Sequence, residues 1–224
     1  ISRVAPHGWR PVMLRYIYGS KLDDHPVLAD TMFKDRATQF RDRLGWDVAM
    51  DAQGYERDEY DAQDPLYVIW ECPDGHHGGS MRFLPTTGQT MVNHHFSDLI
   101  QGDAIKSPFI WECTRFCLAP RVQSRVAAAL MLGGGEVMRG FGVTQCVGVF
   151  DARVVRIYRH IGASPDVLGS SGTGRDKISV GLWNYDPTDR VQVLARAGLS
   201  SALSEHWYAR SFGEKPSKLA QRAA

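Results

Sequence analysis

The order of strand-like and helix-like segments places the strongest constraint on the fold of this chain. Six short apolar segments bounded by turn residues have the pattern of strands: 14–18, 66–71, 79–84, 109–118, 142–150 and 177–183. Segments with helical periodicity or helix-start signals lie between several of them. Strands and helices mixed in this order, with several short hairpin-like links, predict an α/β sandwich around a mixed sheet.

The helices are predicted from apolar spacing and from residues that begin or end a helix. The first, over 24–44, is followed by Gly45 and has apolar residues at three- and four-residue steps: Phe33, Ala37, Phe40 and Leu44. Further helices are expected at 96–100, at 122–139, from Asp151 to 161 and after Asp186-Pro187. Three glycines at 133–135 are unfavourable inside a helix, at about 1 kcal/mol each relative to alanine.

Length and composition fit a single domain. The 224 residues, 43% hydrophobic and 23% charged, can form a sizeable core, and a net charge of +1 argues against a dedicated nucleic-acid binder. Because the sequence has neither a membrane-length apolar run nor the apolar stretch of a secretory signal, we expect a cytoplasmic protein. Residues 1–12 are interpreted as an extension that the domain at 13–224 does not need.

The cysteines and histidines do not have the spacing of metal ligands. The four cysteines show no zinc-type pairing, and reduced thiols are expected in a cytosolic protein. Two histidine doublets occur, at 76–77 and 94–95, but adjacent side chains on a strand point apart. We therefore predict no metal site.

Charged residues inside apolar segments are the first indication of a functional site. Arg36 lies on the apolar stripe of the first helix, where it must reach solvent or meet a partner, and Arg82 lies inside a predicted strand. Asp58 and Asp61 supply carboxylates from the polar segment at 51–65.

Glu112 and Arg115 interrupt another apolar strand. Strict alternation would place residues three apart on opposite faces of the strand, which argues against both a structural ion pair and a shared site. A β-bulge between them would bring both to one face. Arginine binds carboxylates and aspartate binds ammonium groups, so these charges together predict a polar pocket for a zwitterion such as an amino acid.

These residues also resemble the motifs of the acyl-homoserine-lactone synthases, the autoinducer synthases of bacterial quorum sensing. The resemblance covers residues 36–116 in order, with Arg36, Phe40 and Trp46 first, then Asp58 and Asp61. Two longer motifs follow: Ser80-Met81-Arg82-Phe83-Leu84-Pro85-Thr86 and Trp111-Glu112-Cys113-Thr114-Arg115-Phe116, where Thr114 replaces the family's serine. The sequence after residue 120 matches only loosely.

The resemblance implies a three-layer αβα fold with a splayed mixed sheet, similar to the GCN5-related N-acetyltransferases. It implies two substrates, S-adenosylmethionine and an acyl-acyl-carrier-protein (acyl-CoA in some members), and no cofactor. The amine would attack the thioester, and the methionine carboxylate would then displace methylthioadenosine and close the lactone. Such chemistry needs a base and donors near the thioester oxygen.

The family motifs imply roles for individual residues. Glu112 is the expected base, with Asp61 as the rival, while Arg115 and Arg36 would hold the adenosylmethionine carboxylate. Asp58 would orient the ammonium end and Arg82 would brace the acidic loop. The remaining residues with an expected role are Phe40, Trp46 and Phe116 at the substrate cavity, and Met81, Phe83, Gly148 and Phe150 at the acyl chain.

Two rival functions share parts of this pattern. An acetyl-CoA-dependent N-acetyltransferase usually has a glycine-rich loop for the pyrophosphate, and the segment at 121–127 has no glycine. A non-catalytic nucleotide sensor would have no need of a buried glutamate base.

Two further expectations concern the acyl donor. Arg153, Arg156 and His160 are spaced three and four residues apart, which predicts a basic helix face for an acidic carrier protein, or simply a solvated face. The strand at 146–150 has no hydroxyl side chain, which predicts medium to long acyl chains without a 3-oxo group.

Overall fold

In the computed structural model, seven strands form one mixed sheet. The described residues are 12–100, 102–120 and 122–213, so the predicted N-terminal extension lies outside them, apart from Val12. The strands are β1 (Met13–Tyr18), β2 (Leu66–Glu71), β3 (His77–Pro85), β4 (Ile110–Leu118), β5 (Gln145–Asp151), β6 (Asp166–Ser171) and β7 (Ile178–Asn184). Their order is β1-β2-β3-β4-β5-β7-β6, and β4 and β5 are parallel whereas the other neighbours are antiparallel.

Helices cover both faces of the sheet. The helices are α1 (Pro26–Ala37), α2 (Met91–His95), α3 (Arg125–Phe141), α4 (Val155–Ile161), α5 (Asp189–Ala197) and α6 (Ser201–Phe212). In β2, Val68 and Trp70 belong to the larger core with α3, whereas Tyr67 and Ile69 pack with Met32 of α1. Since successive side chains of a strand face opposite sides, β2 is buried on both faces. The predicted α/β sandwich around a mixed sheet is confirmed.

The glycines of α3 allow this helix to lie close to the sheet. A Cβ atom at Gly133 would come within 2.6 Å of the Val68 side chain, and one at Gly134 within 3.2 Å of Phe83. The helix is continuous through the glycine run, because close packing on the sheet compensates for the weak helix propensity of glycine.

The sheet opens between its two parallel strands. Only Ile110–Glu112 of β4 pair with β5, opposite Gln145–Val147, and in the described chain the two strands have no further ladder pairing. We call the gap beyond these pairs the splay. On its other side β4 stays paired to β3, but its register shifts: Ser80 lies opposite Cys117 and Arg82 opposite Thr114. One residue of β3, Met81, thus lies opposite two residues of β4, Arg115 and Phe116, which is a β-bulge of the kind that the sequence analysis considered.

Several predicted elements were placed incorrectly. The first helix is α-helical only to Ala37 and continues as a π-helix over Thr38–Arg43. The helix expected at 96–100 is a 3₁₀ turn at Ser97–Leu99, preceded by α2. Asp151 does not cap α4, because its carboxylate accepts from the Arg153 backbone N–H and the helix begins at Val155.

Two further elements were missed near the C-terminus. β6 was not predicted, and the helix expected after Asp186-Pro187 is divided into α5 and α6. Gly198 ends α5 in a left-handed conformation (φ +66°), and the Ser200 hydroxyl caps α6 by accepting from Leu203. Within the part of the chain that is described, each helix is too short or too polar to cross a bilayer.

Candidate functional site

Two buried arginines, a third that is partly exposed, and three carboxylates form an ionic cluster on the α1 face of the sheet. Its members, which we call the ionic cluster throughout, are Arg36, Arg82, Arg115, Glu56, Asp58 and Asp61. The formal charges of the cluster cancel. Buried ions need such pairing, because leaving any one of them without a partner would cost several kcal/mol.

Arg36 is the innermost member and does not reach solvent. Its Nε donates to Glu56 at 2.6 Å, and its Nη1 and Nη2 donate to the two Asp61 oxygens at 3.0 and 2.8 Å. The residue is 0% exposed, so the arginine on the apolar stripe of α1 meets partners and does not snorkel.

Arg82 connects β3 to the 3₁₀ turn at Glu59–Gln63. Its guanidinium donates to Asp58 and to Asp61, the latter at 2.8 Å, and its Nε donates to the Thr114 hydroxyl at 3.0 Å. Asp58 caps the turn by accepting from Tyr60 and Asp61 backbone N–H groups. Arg82 therefore contacts the acidic segment in the manner expected of a brace.

Arg115 stands at the bulge in β4 and has a left-handed backbone (φ +54°). Its Nε donates to Glu56 at 3.0 Å and its Nη2 lies 2.8 Å from Asp58. With 12% of its side chain exposed, compared with 1% and 0% for Arg36 and Arg82, it is the most accessible of the three arginines.

Glu112 holds the start of α2. Its two carboxylate oxygens accept from the backbone N–H groups of Met91 at 3.0 Å and Val92 at 2.6 Å. Arg115 also contacts Met91, through the sulfur at 3.7 Å, so the bulge does bring Glu112 and Arg115 to one face of β4. The structural ion pair considered between them does not form, because each has other partners.

The two candidate bases have opposite electrostatic surroundings. Burial raises the pKa of Glu112 above its ordinary range, and the two backbone donors only partly offset this effect. Burial also acts to raise the pKa of Asp61, but Arg36 and Arg82 outweigh it and hold that pKa well below its usual range. Glu112 is therefore much the stronger proton acceptor of the two.

An apolar cavity of about 160 Å³ lies on the other face of the sheet, between the splay and α3. It extends from Thr114, Arg115 and Phe116 of β4, along Met131–Met138 of α3, to the residues that follow β7. Thr114 and Arg115 contact both the cavity and the ionic cluster. The splay is therefore where a polar ligand and an apolar ligand could meet.

The aromatic residues implied by the motifs lie in two different places. Phe116 lines the cavity, but Phe40 and Trp46 stack on each other on the α1 face with ring centres 5.3 Å apart. The Arg115 guanidinium carbon lies 5.4 Å from the centre of the Phe40 ring. The Phe40 ring therefore packs against the Arg115 guanidinium, a contact typical of cation–π pairs.

The four residues expected at the acyl chain do not all line the cavity. Met81, Phe83 and Gly148 do, whereas Phe150 packs behind it against Tyr158 and Trp183. A Cβ atom at Gly148 would lie 2.8 Å from the Cys113 carbonyl oxygen, so this glycine permits a close approach of β5 to β4.

The predicted basic face is exposed. Arg153, Arg156 and His160 are all on the surface, with Arg159 beside them, although Arg153 precedes α4 and pairs with Asp151. Tyr158 of the same helix lines the cavity, so the helix that carries these residues packs beside the cavity.

Sequence reasoning missed Glu56, Tyr67 and Tyr158. Glu56 bridges Arg36 and Arg115 and is 0% exposed. Tyr67 donates to Asp61, and Tyr158 brings a hydroxyl group to the cavity. No pattern in the sequence marks these three residues, and the burial of Glu56 depends on how its polar segment folds.

Comparison with known proteins gives a family match and a relative that spans most of the chain. The autoinducer synthase family model matches residues 20–193. An acyl-homoserine-lactone synthase of Rhizobium etli is 42% identical over 202 residues, which cover 86% of this chain and 93% of that protein.

Two solved structures show the same fold. The CoA-dependent acyl-homoserine lactone synthase MesI superimposes with a TM-score of 0.74, at 22% identity over 85% of this chain and 98% of that one. The CoA-dependent synthase BjaI with SAM and isopentyl-CoA gives a TM-score of 0.73, at 19% identity over 85% and 92% of the two chains.

The family match and this relative define the chain, with its splayed α/β fold, as an acyl-group transferase. More specifically, the chain belongs to the autoinducer synthase family and is an enzyme of the acyl-homoserine-lactone synthase type.

Proposed function

We propose that this enzyme makes an N-acyl-L-homoserine lactone from S-adenosylmethionine and an acyl-acyl-carrier-protein, without a cofactor. The observation that carries the proposal is the junction at the splay, where Thr114 and Arg115 belong to both the ionic cluster and the apolar cavity. A zwitterion suits the charged side and an acyl chain suits the apolar side. The BjaI structure holds SAM and isopentyl-CoA, which are ligands of these two kinds.

The amino-acid end of S-adenosylmethionine would bind beside Arg115 and Asp58. These two side chains are 12% and 10% exposed, so a ligand can reach them without disrupting the cluster. Arg115 would donate to the carboxylate and Asp58 would accept from the ammonium group.

Arg36 receives a different role from the one that the family motif implies. Its guanidinium is enclosed by Glu56 and Asp61, so we propose that it positions these carboxylates and does not touch the substrate. Arg82 does the same for Asp58 and Asp61. Together, Arg36 and Arg82 hold the acidic segment in place next to Arg115.

Glu112 is the proposed base, directly or through a water molecule. It would remove a proton from the ammonium group, and the free amine would attack the thioester carbonyl carbon. The C–S bond of the thioester then breaks, the amide forms and the carrier thiol leaves with a proton. In the second step a carboxylate oxygen attacks the carbon that bears the sulfonium, methylthioadenosine leaves and the lactone ring closes.

The free edge of β4 offers donors for the thioester oxygen. Beyond Glu112, β4 has no ladder pairing to β5 in the described chain, so backbone N–H groups on that edge face the splay. Preorganised backbone donors of this kind stabilise the negative charge that develops on a thioester oxygen.

A carrier protein is favoured over CoA as the donor by the residues around the splay. The segment at 122–124 before α3 has no glycine to bring its backbone close to a pyrophosphate, and the exposed arginines near α4 suit an acidic protein. Acyl-CoA is the alternative donor.

Release of methylthioadenosine distinguishes these functions. Purified enzyme would be incubated with S-adenosylmethionine and either acyl-carrier-protein or the matching acyl-CoA, and the nucleoside and lactone would be quantified by mass spectrometry. We expect both products, formed faster from the carrier protein. Free CoA without methylthioadenosine would indicate an N-acetyltransferase, and no product from either donor would indicate a binding protein.

A further inference from the structure

The proposed base is engaged in other hydrogen bonds in the free enzyme. Glu112 is 1% exposed, and its two carboxylate oxygens accept from the backbone N–H groups of Met91 and Val92 at 3.0 and 2.6 Å. These are the first two residues of α2, so the carboxylate caps this helix. Bonds to backbone N–H groups stabilise the charged form of a carboxylate and so weaken it as a proton acceptor. To act as a base, Glu112 has to release at least one of them.

Thr90 occupies the position from which a side chain normally caps α2. Its backbone is extended (φ −137°, ψ 149°), as is usual for the residue before a helix. A threonine at this position ordinarily accepts from the N–H of the second or third helical residue. Here its side chain makes no such bond, and Glu112 accepts from the second residue, Val92, in its place.

The Thr90 hydroxyl is left enclosed and unpaired. The residue is 0% exposed, and its side-chain oxygen has no hydrogen-bond partner among the residues that the structure describes. A buried hydroxyl without a partner loses its hydration without replacement and therefore lowers stability. Valine has nearly the same shape and no such loss, so the stability of the free enzyme does not explain a threonine here.

The surroundings of Thr90 indicate which donor its hydroxyl can take. The Thr90 carbonyl accepts from the His94 N–H at 3.1 Å, and the N–H of the next residue, Met91, donates to Glu112. The hydroxyl thus belongs to the first turn of α2, beside the base. Because its oxygen is enclosed, a ligand does not reach it unless α2 moves. The Val92 N–H is the donor that a capping threonine accepts, and it becomes free when Glu112 lets it go.

We propose that Thr90 and Glu112 exchange the capping of α2 during catalysis. When S-adenosylmethionine binds, Glu112 releases the Val92 N–H and turns the freed oxygen to the ammonium group, while the Thr90 hydroxyl accepts the Val92 N–H. The backbone donor stays satisfied, so the release of Glu112 leaves no buried N–H unpaired. Thr90 is therefore a positioning residue that acts through Glu112. This inference rests on the proposed function and deepens it.

The test compares Thr90→Val, which removes the hydroxyl and keeps the shape, with Thr90→Ser, which keeps the hydroxyl. In Thr90→Val we expect the kcat of methylthioadenosine release to fall about 2- to 30-fold, the range that corresponds to the free energy of an N-cap bond. The KM for S-adenosylmethionine should stay near wild type. The midpoint of urea unfolding should stay unchanged or rise, because the free enzyme loses no hydrogen bond. Thr90→Ser should keep the wild-type kcat.

Tyr16→Phe is the matched control. The Tyr16 hydroxyl is also enclosed without a partner among the described residues, but its ring packs against Tyr208 and Phe212 of α6, in the core shared with α3. Its removal should likewise preserve or raise the urea midpoint, and it should leave kcat unchanged. Lower turnover without lower stability is therefore expected of Thr90→Val and not of Tyr16→Phe.

The other outcomes overturn the exchange. Wild-type kcat in Thr90→Val would show that the hydroxyl takes no part, and a lower urea midpoint would show that it supports the free enzyme. A change confined to the KM for S-adenosylmethionine would indicate contact with the substrate, and equal losses of kcat in Thr90→Ser and Thr90→Val would indicate an effect of shape. Methylthioadenosine release by wild type tests the proposed function separately. If wild type releases none, the proposed function fails and this inference fails with it.

Discussion

Arg115 shows how a single backbone conformation assembles the site. A non-glycine residue at φ +54° is uncommon and costs free energy, so it persists where surrounding contacts hold it. Here the side chain is held by Glu56 and Asp58 and rests over Phe40. The bulge turns Arg115 toward the face that carries Glu112, which regular alternation would not allow.

Glu112→Gln should reduce turnover by about 10²–10⁴-fold, the usual contribution of a positioned base. The glutamine carbonyl can still accept one of the two N–H donors of α2, so the protein should remain folded. Methylthioadenosine release and thermal unfolding measure the two effects. Glu59→Gln, an exposed glutamate in the neighbouring 3₁₀ turn, is the matched control and should keep its turnover. Near-normal lactone formation by Glu112→Gln would exclude Glu112 as the base.

The pH profile follows from the same residue. A base acts in its deprotonated form, so activity should fall as pH drops below the pKa of Glu112. Because burial raises that pKa, the acid limb should lie above the ordinary glutamate value of about 4.3. Asp61, whose pKa is held low by Arg36 and Arg82, would give a limb below the ordinary aspartate value of about 3.9. If the acid limb of the kcat profile lies below the ordinary aspartate value, Asp61 is favoured as the base.

Arg36→Met should mainly affect stability. Removing this buried cation leaves Glu56 and Asp61 short of partners, and breaking a buried ion pair in this way costs about 3–5 kcal/mol. Arg41→Met removes an arginine that pairs with Asp42 on the surface, where the loss should be about 0–1 kcal/mol. Urea unfolding compares the two variants. Equal losses of unfolding free energy in the two variants would show that burial of the Arg36 ion pairs adds nothing to stability.

The sequence revealed most of the charged residues but not their pairing. Arg36, Arg82, Glu112 and Arg115 were detectable because each breaks an apolar pattern. Glu56 lies in a polar segment where another acidic residue is ordinary, so the sequence pattern does not indicate that it is buried. Its complete burial depends on how that segment folds under α1. Likewise, the contact between Tyr158 and Phe116 depends on α4 reaching β4, which periodicity cannot show.

At the scale of elements, the glycines of α3 provide a matched pair of tests. Gly133→Ala would force a methyl group to 2.6 Å from Val68 and should destabilise the protein by about 1–3 kcal/mol. Gly135 has nothing within 4 Å of the same position, so Gly135→Ala should stabilise the helix by up to about 1 kcal/mol. Both changes are measured as shifts in the midpoint of denaturant unfolding at a constant m value. Equal shifts of the denaturant midpoint in the two variants would show that helix propensity alone determines their stability.

Strands and helices with a clear apolar pattern were predicted from the sequence, and those without such a pattern were missed. β2 and β4 are apolar runs bounded by turn signals, and both lie where expected. β6 contains a glycine and two serines and is mostly exposed at the sheet edge, so it has neither the composition nor the alternation of a predicted strand. The end of α5 at Gly198 could have been predicted from a helix-stop signal.

At the scale of the whole molecule, the splay connects two chemically different faces of one sheet. Charged groups gather on the α1 face, and the apolar cavity lies on the face covered by α3. Trp111 and Glu112 of β4 pair with both β3 and β5, which holds the two halves of the sheet together at one end of the gap. Helix α4 has Tyr158 at the cavity and three exposed basic residues, Arg156, Arg159 and His160, with Arg153 just before the helix, so a donor protein bound to this basic surface would lie beside the cavity.

This basic surface leads to the last prediction. Arg153→Glu combined with Arg156→Glu should raise the KM for acyl-carrier-protein severalfold and leave the KM for S-adenosylmethionine unchanged. An acidic partner would be repelled, whereas the ionic cluster on the other face keeps its geometry. Because the charges are exposed, the difference from wild type should shrink as ionic strength rises and the Debye length falls below about 10 Å. Steady-state kinetics at two salt concentrations measure both effects.

The matched control reverses the same number of charges elsewhere. Arg196→Glu with Arg210→Glu changes two exposed arginines on α5 and α6 and should leave both KM values near wild type. Acyl-CoA provides a second comparison, since it carries the same acyl group but not the protein surface that the arginines would contact. An equal rise in KM for the carrier protein in both double variants would indicate an effect of net charge alone. A rise confined to Arg153 and Arg156 would identify the docking face.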